Sequence, residues 1–436
     1  MIASHPSGGA GTGTVSLFAD AAQVVTCAGP PRARRGRELS QASVLSGAAV
    51  AVRSGRIDAV GKWKELRRRY PDAEVVDCEG KVLMPGFVDS HTHAIFGRPR
   101  HEEHELRALG MDYLEIANHG GGIHASVRDL RSRSEEELVS LALPRLWRLA
   151  SYGSTTVEVK SGYGLTVEDE LKSLRAVARL AQLLPLRLVP TFLGAHEIPE
   201  EARASASGRS DYVALLVNEM IPRVAAAGLA RFADVFCEPG VYTVEEAATI
   251  LGAARRAGLG LKLHADELNP SGGAELAVEL GATSADHLGA ISDRGIRALA
   301  TSGTVATLLP GTMFFLGRSR QAPARALIEA GAAVALASDF NPGTSPTPNM
   351  PLVLTLGVSQ LRLTAAEAIV AATVNGAAAL GLAEETGQIA PGFSADLALF
   401  DVSDYREIPY WYGDRRCVAT WVRGKPAWRE PASDAS

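Results

Sequence analysis

The feature that most constrains this chain is an alternation through its middle. Between about residues 83 and 382, short apolar runs end in polar or charged residues, and longer segments with helical apolar spacing separate them. Eight such runs can be counted, at 82–89, 154–160, 186–196, 232–237, 261–266, 283–287, 303–309 and 333–339. Helical periodicity occupies 135–150, 167–184, 211–227, 244–257 and 276–280. Strand–helix alternation predicts a parallel sheet, and eight units predict a closed (β/α)8 TIM barrel of the α/β class. An open doubly wound sheet is the competing architecture. No GxGxxG follows the first run, so a dinucleotide site has no support.

The two ends read differently. Residues 15–82 hold short β-rich runs at 15–18, 23–27, 48–53, 56–60 and 74–78, with Ser54-Gly55 as a hairpin signal. The C-terminal end is similar, with runs at 396–400 and 417–422 near Gly387, Gly392 and Gly424. Neither end is long enough to bury its own core. Residues 15–82 and 383–436 are therefore expected to build one small β domain beside a barrel over 83–382. Residues 1–14, rich in Gly and Ser, read as a disordered arm, and the basic run 32–37 as a solvated loop.

Composition excludes several classes of function. The chain is 46% hydrophobic and 21% charged, as ordinary globular proteins are. Its net charge of −5 gives no electrostatic case for nucleic acid or an anionic membrane. No apolar stretch is long enough to span a bilayer, and the N-terminus lacks a secretory layout. The four cysteines, at 27, 78, 237 and 417, form no CxxC pair, which suits a reduced cytoplasmic protein.

In a barrel of this kind, side chains at the C-terminal ends of strands face the active-site mouth. The first run ends in Asp89-Ser90-His91-Thr92-His93. Residues two apart on a strand point the same way, so His91 and His93 can share one metal ion. The fifth run ends in His264-Ala265-Asp266-Glu267, the sixth in Asp286-His287 and the eighth in Ser338-Asp339. Imidazoles with a carboxylate suit Zn2+ or Fe2+, with a position left open for water. Asp89 is expected to orient His91 or to cap the turn. His5, His101, His104, His119 and His124 lie away from strand ends and are expected on the surface or in loops.

The string PGFVDSHTH, with His264, His287 and Asp339 on later strands, resembles the amidohydrolase superfamily. That resemblance implies a (β/α)8 barrel with a small β domain built from both chain ends. PGFSADLALFD and GAAVAVRSGRIDAVG look like the β-domain segments of that superfamily. Within it, HTHAIFGRPR, GGGIHASVRD, TTVEVKSGYGL, PTFLGAHEIP, LHADE, ELGATSADHL and SDFNPGTSP resemble the imidazolonepropionase family segment by segment. The resemblance covers nearly all of the chain after the N-terminal arm.

The resemblance implies one divalent transition metal, Zn or Fe, held by His91, His93, His264 and Asp339. It implies that Arg100, Tyr163 and His196 hold an imidazolone-propionate substrate, with Tyr113 nearby, and that Asn341, Gly343 and Thr344 contact the product. Glu267 matches the general base, with His287 as its neighbour. The implied reaction is hydrolysis of the ring amide of 4-imidazolone-5-propanoate to N-formimidoyl-L-glutamate in histidine degradation, by a homodimer. The family usually has FGGSR where this chain has Phe96-Gly97-Arg98-Pro99-Arg100, which makes Arg98 a competing cation.

The residue chemistry agrees. Arg100 offers a planar, permanently charged fork that matches a carboxylate. Tyr163 lies between two glycines, where backbone can approach a ligand closely. Glu267, ionised at neutral pH, can accept a proton from water and return it to a leaving nitrogen. One ion is expected, with Lys160 in the site wall and Glu238 as the candidate bridge to a second. A nucleobase deaminase of the same superfamily and a non-catalytic metal-binding barrel are the alternatives. KSGYGL and Arg100 favour a substrate with a carboxylate tail, and none of the four implied ligands is missing.

Overall fold

The computed structural model describes residues 14–111, 115–116 and 120–431. The predicted N-terminal arm, apart from Thr14, and Tyr113 lie outside the described residues, as do His5 and His119.

Eight parallel strands follow one another around the central sheet in chain order. They are Phe87–Asp89, Ser154–Lys160, Arg187–Ala195, Phe232–Cys237, Gly260–Ala265, Ser284–His287, Val305–Leu308 and Val334–Leu336. The first and eighth meet just beyond their ends. Thr92 bridges Phe340 in parallel. His93 N donates to Phe340 O at 2.9 Å, and Asp339 N to His91 O at 3.0 Å. Asp89 braces the same seam, accepting from Ser338 N at 2.9 Å and Ser338 Oγ at 2.5 Å. The predicted barrel is thus the observed fold, with further sheets contributed by the chain ends.

The outer helices begin where their sequences supply caps. Ser134 accepts from Glu137 N at the start of Glu135–Ser151, and Thr243 accepts from Glu246 N at the start of Val244–Arg256. In the first of these helices, Leu138, Ala142, Leu146 and Leu149 form the buried stripe. The segment read as one helix over 211–227 is three pieces: Gly208–Leu215, a π turn at Leu216–Met220, and Ile221–Ala226. Pro222 brings no N–H to the helical ladder, and the backbone takes a wider turn to pass it.

The run at 82–89 is also divided. Val82–Pro85 pairs with the outer strands, and Phe87–Asp89 opens the barrel. Gly86 stands between them, where any Cβ would collide with the side chain of Thr155. Two outer sheets result. One orders Arg56–Lys62, Ala48–Arg53, Val15–Ala19 and Glu74–Asp77. The other orders Lys425–Arg429, Cys417–Val422, Leu397–Phe400, Val82–Pro85, Gln23–Val25 and Val44–Leu45, joining both chain ends. Phe18, Val50, Ile57, Leu83, Leu397 and Trp421 share one core between the sheets. The predicted hairpin is present: Arg53 pairs with Arg56, and Ser54 and Gly55 have φ of 50° and 79°. All four cysteines are unpaired and buried. Among the described residues no helix is long and apolar enough to cross a membrane.

The basic run at 32–37 is not a solvated loop. Arg34 is buried and donates to the carbonyl of Cys27 at 3.3 Å. Arg35 reaches across to the barrel and donates to the carbonyls of Ala300 and Ser302 at 2.5 Å and Gly331 at 3.0 Å. The first two lie at the C-terminal end of helix Asp293–Thr301, where carbonyls have no partner within the helix. A guanidinium there meets both the orphaned acceptors and the negative end of the dipole. Arg35→Ala should lower stability by about 1.5–3 kcal/mol, the worth of charge-assisted hydrogen bonds. Thermal unfolding against Arg37→Ala, which alters an exposed neighbour, checks this; equal midpoints would remove the clamp from the account.

Candidate active site

Three histidines and a carboxylate converge at the seam. His91 Nε2 lies 3.3 Å from His93 Nε2, and His264 Nε2 lies 3.4 Å from His93 Nε2. Asp339 Oδ1 lies 3.5 Å from the Nε2 atoms of both His91 and His93. Four donors bound tetrahedrally at zinc-like lengths would stand about 3.3–3.6 Å apart. All four side chains are buried. Burial first, then Lys160 for His91 and His196 for His93, holds these two imidazoles well below their usual pKa. They are neutral, with lone pairs available to a cation. The donor atoms of His91, His93 and Asp339 lie within 4.8 Å of one another. His264 joins them through His93, while also grouping with His196 and with His91 and His287. The chemistry of these donors, imidazoles with a carboxylate, fits a divalent transition metal.

Charged side chains inside the barrel orient these donors. Asp286 Oδ2 lies 2.7 Å from His91 Nδ1, which turns Nε2 toward the other donors. Asp89 accepts from Ser338 and from the His91 N–H, the capping role of the two expected for it, while the group that orients the imidazole comes from the sixth strand. Asp234 Oδ2 lies 3.0 Å from His264 Nδ1 and accepts from Lys160 Nζ at 2.7 Å. Lys160 also donates to Glu158 Oε1 at 2.9 Å. It is buried, and its ammonium is taken up by carboxylates. Burial opposes that charge, but Asp234, Glu158 and Asp286 outweigh it and raise the Lys160 pKa. Lys262 Nζ stands 3.5 Å from Asp286 and 3.7 Å from Glu158. Thr312, in helix Pro310–Phe315, donates to Asp339 Oδ2 at 2.6 Å and leaves Oδ1 to the donor cluster.

Glu267 and His287 meet beside this cluster, with His287 Nδ1 3.6 Å from Glu267 Oε2. The ring of His287 lies 5.1 Å from that of His264 and 5.3 Å from that of His91. Burial, then the charges of Asp339 and Glu238, pushes the Glu267 pKa up to about 8. The sequence expectation of an ionised Glu267 at neutral pH thus does not follow from the protein alone. A divalent cation among the donors acts in the opposite sense. Glu238 does not face the donors as a bridge would. Its carboxylate accepts the N–H groups of Glu267 at 3.2 Å and Asn269 at 2.8 Å, holding the Glu267 loop.

The other predicted site residues gather around the same mouth. His196 stacks on His93 at 4.9 Å, and its Nδ1 lies 2.9 Å from the Gly162 carbonyl oxygen. The Tyr163 ring stands 5.3 Å from His196 and 6.1 Å from His93. Gly162 has φ of 107° and its α-carbon packs tightly against His196, which suits only glycine. Arg100 is buried while Arg98 is exposed. Gly343 lies against Arg100: a Cβ there would be 2.5 Å from the guanidinium carbon. Asn341 spends its side chain on its own loop, with Oδ1 accepting Gly343 N at 2.8 Å and Thr344 N at 2.7 Å.

A family description, "Amidohydrolase family", matches residues 82–427, and "Imidazolonepropionase-like composite domain, bacteria" matches 48–73. Imidazolonepropionase of Symbiobacterium thermophilum is 51% identical over 401 residues, covering 91% of this chain and 93% of that one. That of Geobacillus kaustophilus is 47% identical over 410 residues, covering 93% and 96%. This chain belongs to the imidazolonepropionase family. An adenosine deaminase of Xanthomonas campestris with bound zinc has a TM-score of 0.69 over 94% of this chain and 92% of that one. At 21% identity that likeness shows the fold alone.

Sequence reading of this imidazolonepropionase-family chain missed Asp234, Lys262 and Thr312 as parts of the site. The first two lie inside strands, and Thr312 lies in a helix, so only the curvature of the barrel reveals their partners. Thr312→Val keeps the shape and removes the hydroxyl that holds Asp339. It should weaken zinc binding about ten- to a hundredfold. Competition with a chromophoric chelator measures this, alongside an unchanged far-ultraviolet spectrum. Undiminished affinity would show that Asp339 needs no such support.

Proposed function

We infer that this chain hydrolyses the ring amide of 4-imidazolone-5-propanoate to N-formimidoyl-L-glutamate, a step of histidine breakdown. The carrying observation is identity of 47–51% to imidazolonepropionases over more than nine-tenths of both chains. The buried Arg100 supports the same substrate, because it suits a propionate carboxylate and would find no such partner on a nucleobase. We further propose a cytoplasmic setting, supported by four unpaired thiols.

His91, His93, His264 and Asp339 are the proposed ligands of one zinc or iron ion. Bound there, the ion supplies Lewis acidity toward water and the ring carbonyl. Arg100 takes the propionate tail, and Tyr163 and His196 flank the ring. Glu267 accepts a proton from the attacking water and delivers it to the departing ring nitrogen. His287, with Nδ1 3.6 Å from Glu267 Oε2, is its proposed catalytic neighbour. The N–H groups of Gly343 and Thr344 and the Thr344 hydroxyl are bonded to Asn341, and Arg107 takes the Gly343 carbonyl, so a product contact at these residues would share or replace those bonds. The carbonyl carbon gains a hydroxyl group and the ring nitrogen gains a proton. Expelling a ring nitrogen opens the ring and frees no amine.

Glu267→Gln should keep its metal and lose most turnover, since an amide can neither accept nor return the proton. Ring absorbance and ammonia, followed together in wild type and mutant, check both parts. Stoichiometric ammonia would overturn ring opening, and a fully active Gln variant would remove Glu267 as the base.

Arg100→Ala should raise KM roughly ten- to a hundredfold, equivalent to losing about 1.5–3 kcal/mol of charge-assisted hydrogen bonding. Metal content should be unchanged. Steady-state kinetics on 4-imidazolone-5-propanoate are the measurement; an unaltered KM would move tail binding to Arg98.

A further inference from the structure

A guanidinium has two edges that can each receive a carboxylate, and in Arg100 the protein itself fills one. Glu103 lies in the first turn of helix His101–Ala108, and both side chains are buried. A single oxygen of Glu103, Oε2, lies 3.1 Å from Nε and 3.0 Å from Nη2 of Arg100. The other oxygen, Oε1, accepts the Gly122 N–H at 2.9 Å. Because its two oxygens serve different partners, the carboxylate cannot turn away from Arg100 without leaving a buried N–H unpaired.

Gly343 fixes the guanidinium in the remaining direction. A Cβ on it would lie 2.5 Å from Cζ and 2.6 Å from both Nη1 and Nη2. Since Cζ is the nearest atom, the glycine stands over the plane of the group and not at its edge. Arg107 Nη2 donates to the Gly343 carbonyl at 3.1 Å and holds that backbone down. Among the described residues, no other hydrogen bond or ion pair engages Arg100. One edge, Nη1–Nη2, is left to face a ligand, with two parallel N–H bonds spaced for two carboxylate oxygens.

We propose that Glu103 is a positioning residue for substrate binding: it locks the Arg100 fork so that one edge accepts the single carboxylate of the tail. This rests on the reading of Arg100 as the tail-binding residue. Glu103 touches no substrate and acts only through Arg100. Its negative charge also makes the fork half of an ion pair, so geometry more than net charge selects the ligand.

The test is a double-mutant cycle on the metal-loaded enzyme with 4-imidazolone-5-propanoate. Glu103→Gln keeps the size but has one acceptor oxygen for two partners. It should raise KM roughly five- to tenfold with kcat within about twofold, the pattern of lost binding common to ground and transition states. In an Arg100→Ala background the same change should raise KM no further. Glu103→Ala should repeat the pattern and serves if the Gln variant is unstable. Effects on KM that multiply in the double variant would show that Glu103 acts through the Gly122 loop and overturn the proposal. A lowered or unchanged KM in Glu103→Gln would overturn it too. Failure of the wild type to open the imidazolone ring would instead sink the reading of the reaction.

Discussion

Hydrogen bonds across the seam between the first and eighth strands decide where the donors of this site can stand. Both strands are only three residues long, Phe87–Asp89 and Val334–Leu336, and the pairing that joins them lies beyond their ends. Asp339 N bonds His91 O, and His93 N bonds Phe340 O, so the bonds that close the barrel are made by the donor residues themselves. Asp339 has φ of 50°, a conformation costly for a residue with a side chain. Its side chain is thereby held at the seam, within 3.5 Å of two imidazoles. Thr312 on its carboxylate and Asn341 on its carbonyl, at 2.6 Å each, sustain that conformation.

Beneath the seam, the barrel interior holds three acidic side chains, Glu158, Asp234 and Asp286, against Lys160 and Lys262, all buried. Unpaired buried charges are costly, and removing one partner leaves the others uncompensated. The arrangement is economical because each carboxylate has two tasks. Asp286 faces His91 above and the lysines below, and Asp234 does the same for His264 and Lys160. Among these five groups the acids outnumber the bases, which leaves the cluster formally negative and favours a cation beside it.

How much of this could be read from the sequence follows from the range of each interaction. The strands at 154–160 and 232–237 were legible to the residue, because apolar runs bounded by polar ends are local signals. The break at Gly86 was not, since its cause is Thr155 on another strand. His91, His93, His264 and Asp339 were legible as strand-end donors; donor atoms of His91, His93 and Asp339 lie within 4.8 Å of one another, and His264 lies 3.4 Å from His93. Asp286 was visible beside His287, but its bond to His91 is made across the barrel. Arg35 looked like solvated charge for the same reason: its acceptors belong to a helix near residue 300.

The loops above the strands face a further physical problem. A loop that lines a buried site carries backbone N–H groups that water no longer satisfies. Here acidic or amide side chains supply the missing acceptors. Glu170 takes the N–H groups of Gly164 at 2.8 Å and Leu165 at 2.9 Å, around Tyr163. Glu238 holds the Glu267 loop. Asp266 accepts from Ser271 at 2.7 Å, Gly272 at 2.9 Å and Ala274 at 2.9 Å in the turn that follows. Asn341 does the same for Gly343 and Thr344, and Glu103 for Gly122. An acceptor that binds several N–H groups at once fixes the whole loop, because no single bond can be released without exposing the rest. Loops after four different strands are thereby tied to side-chain acceptors at their backbone N–H groups, the kind of support a precisely placed site requires.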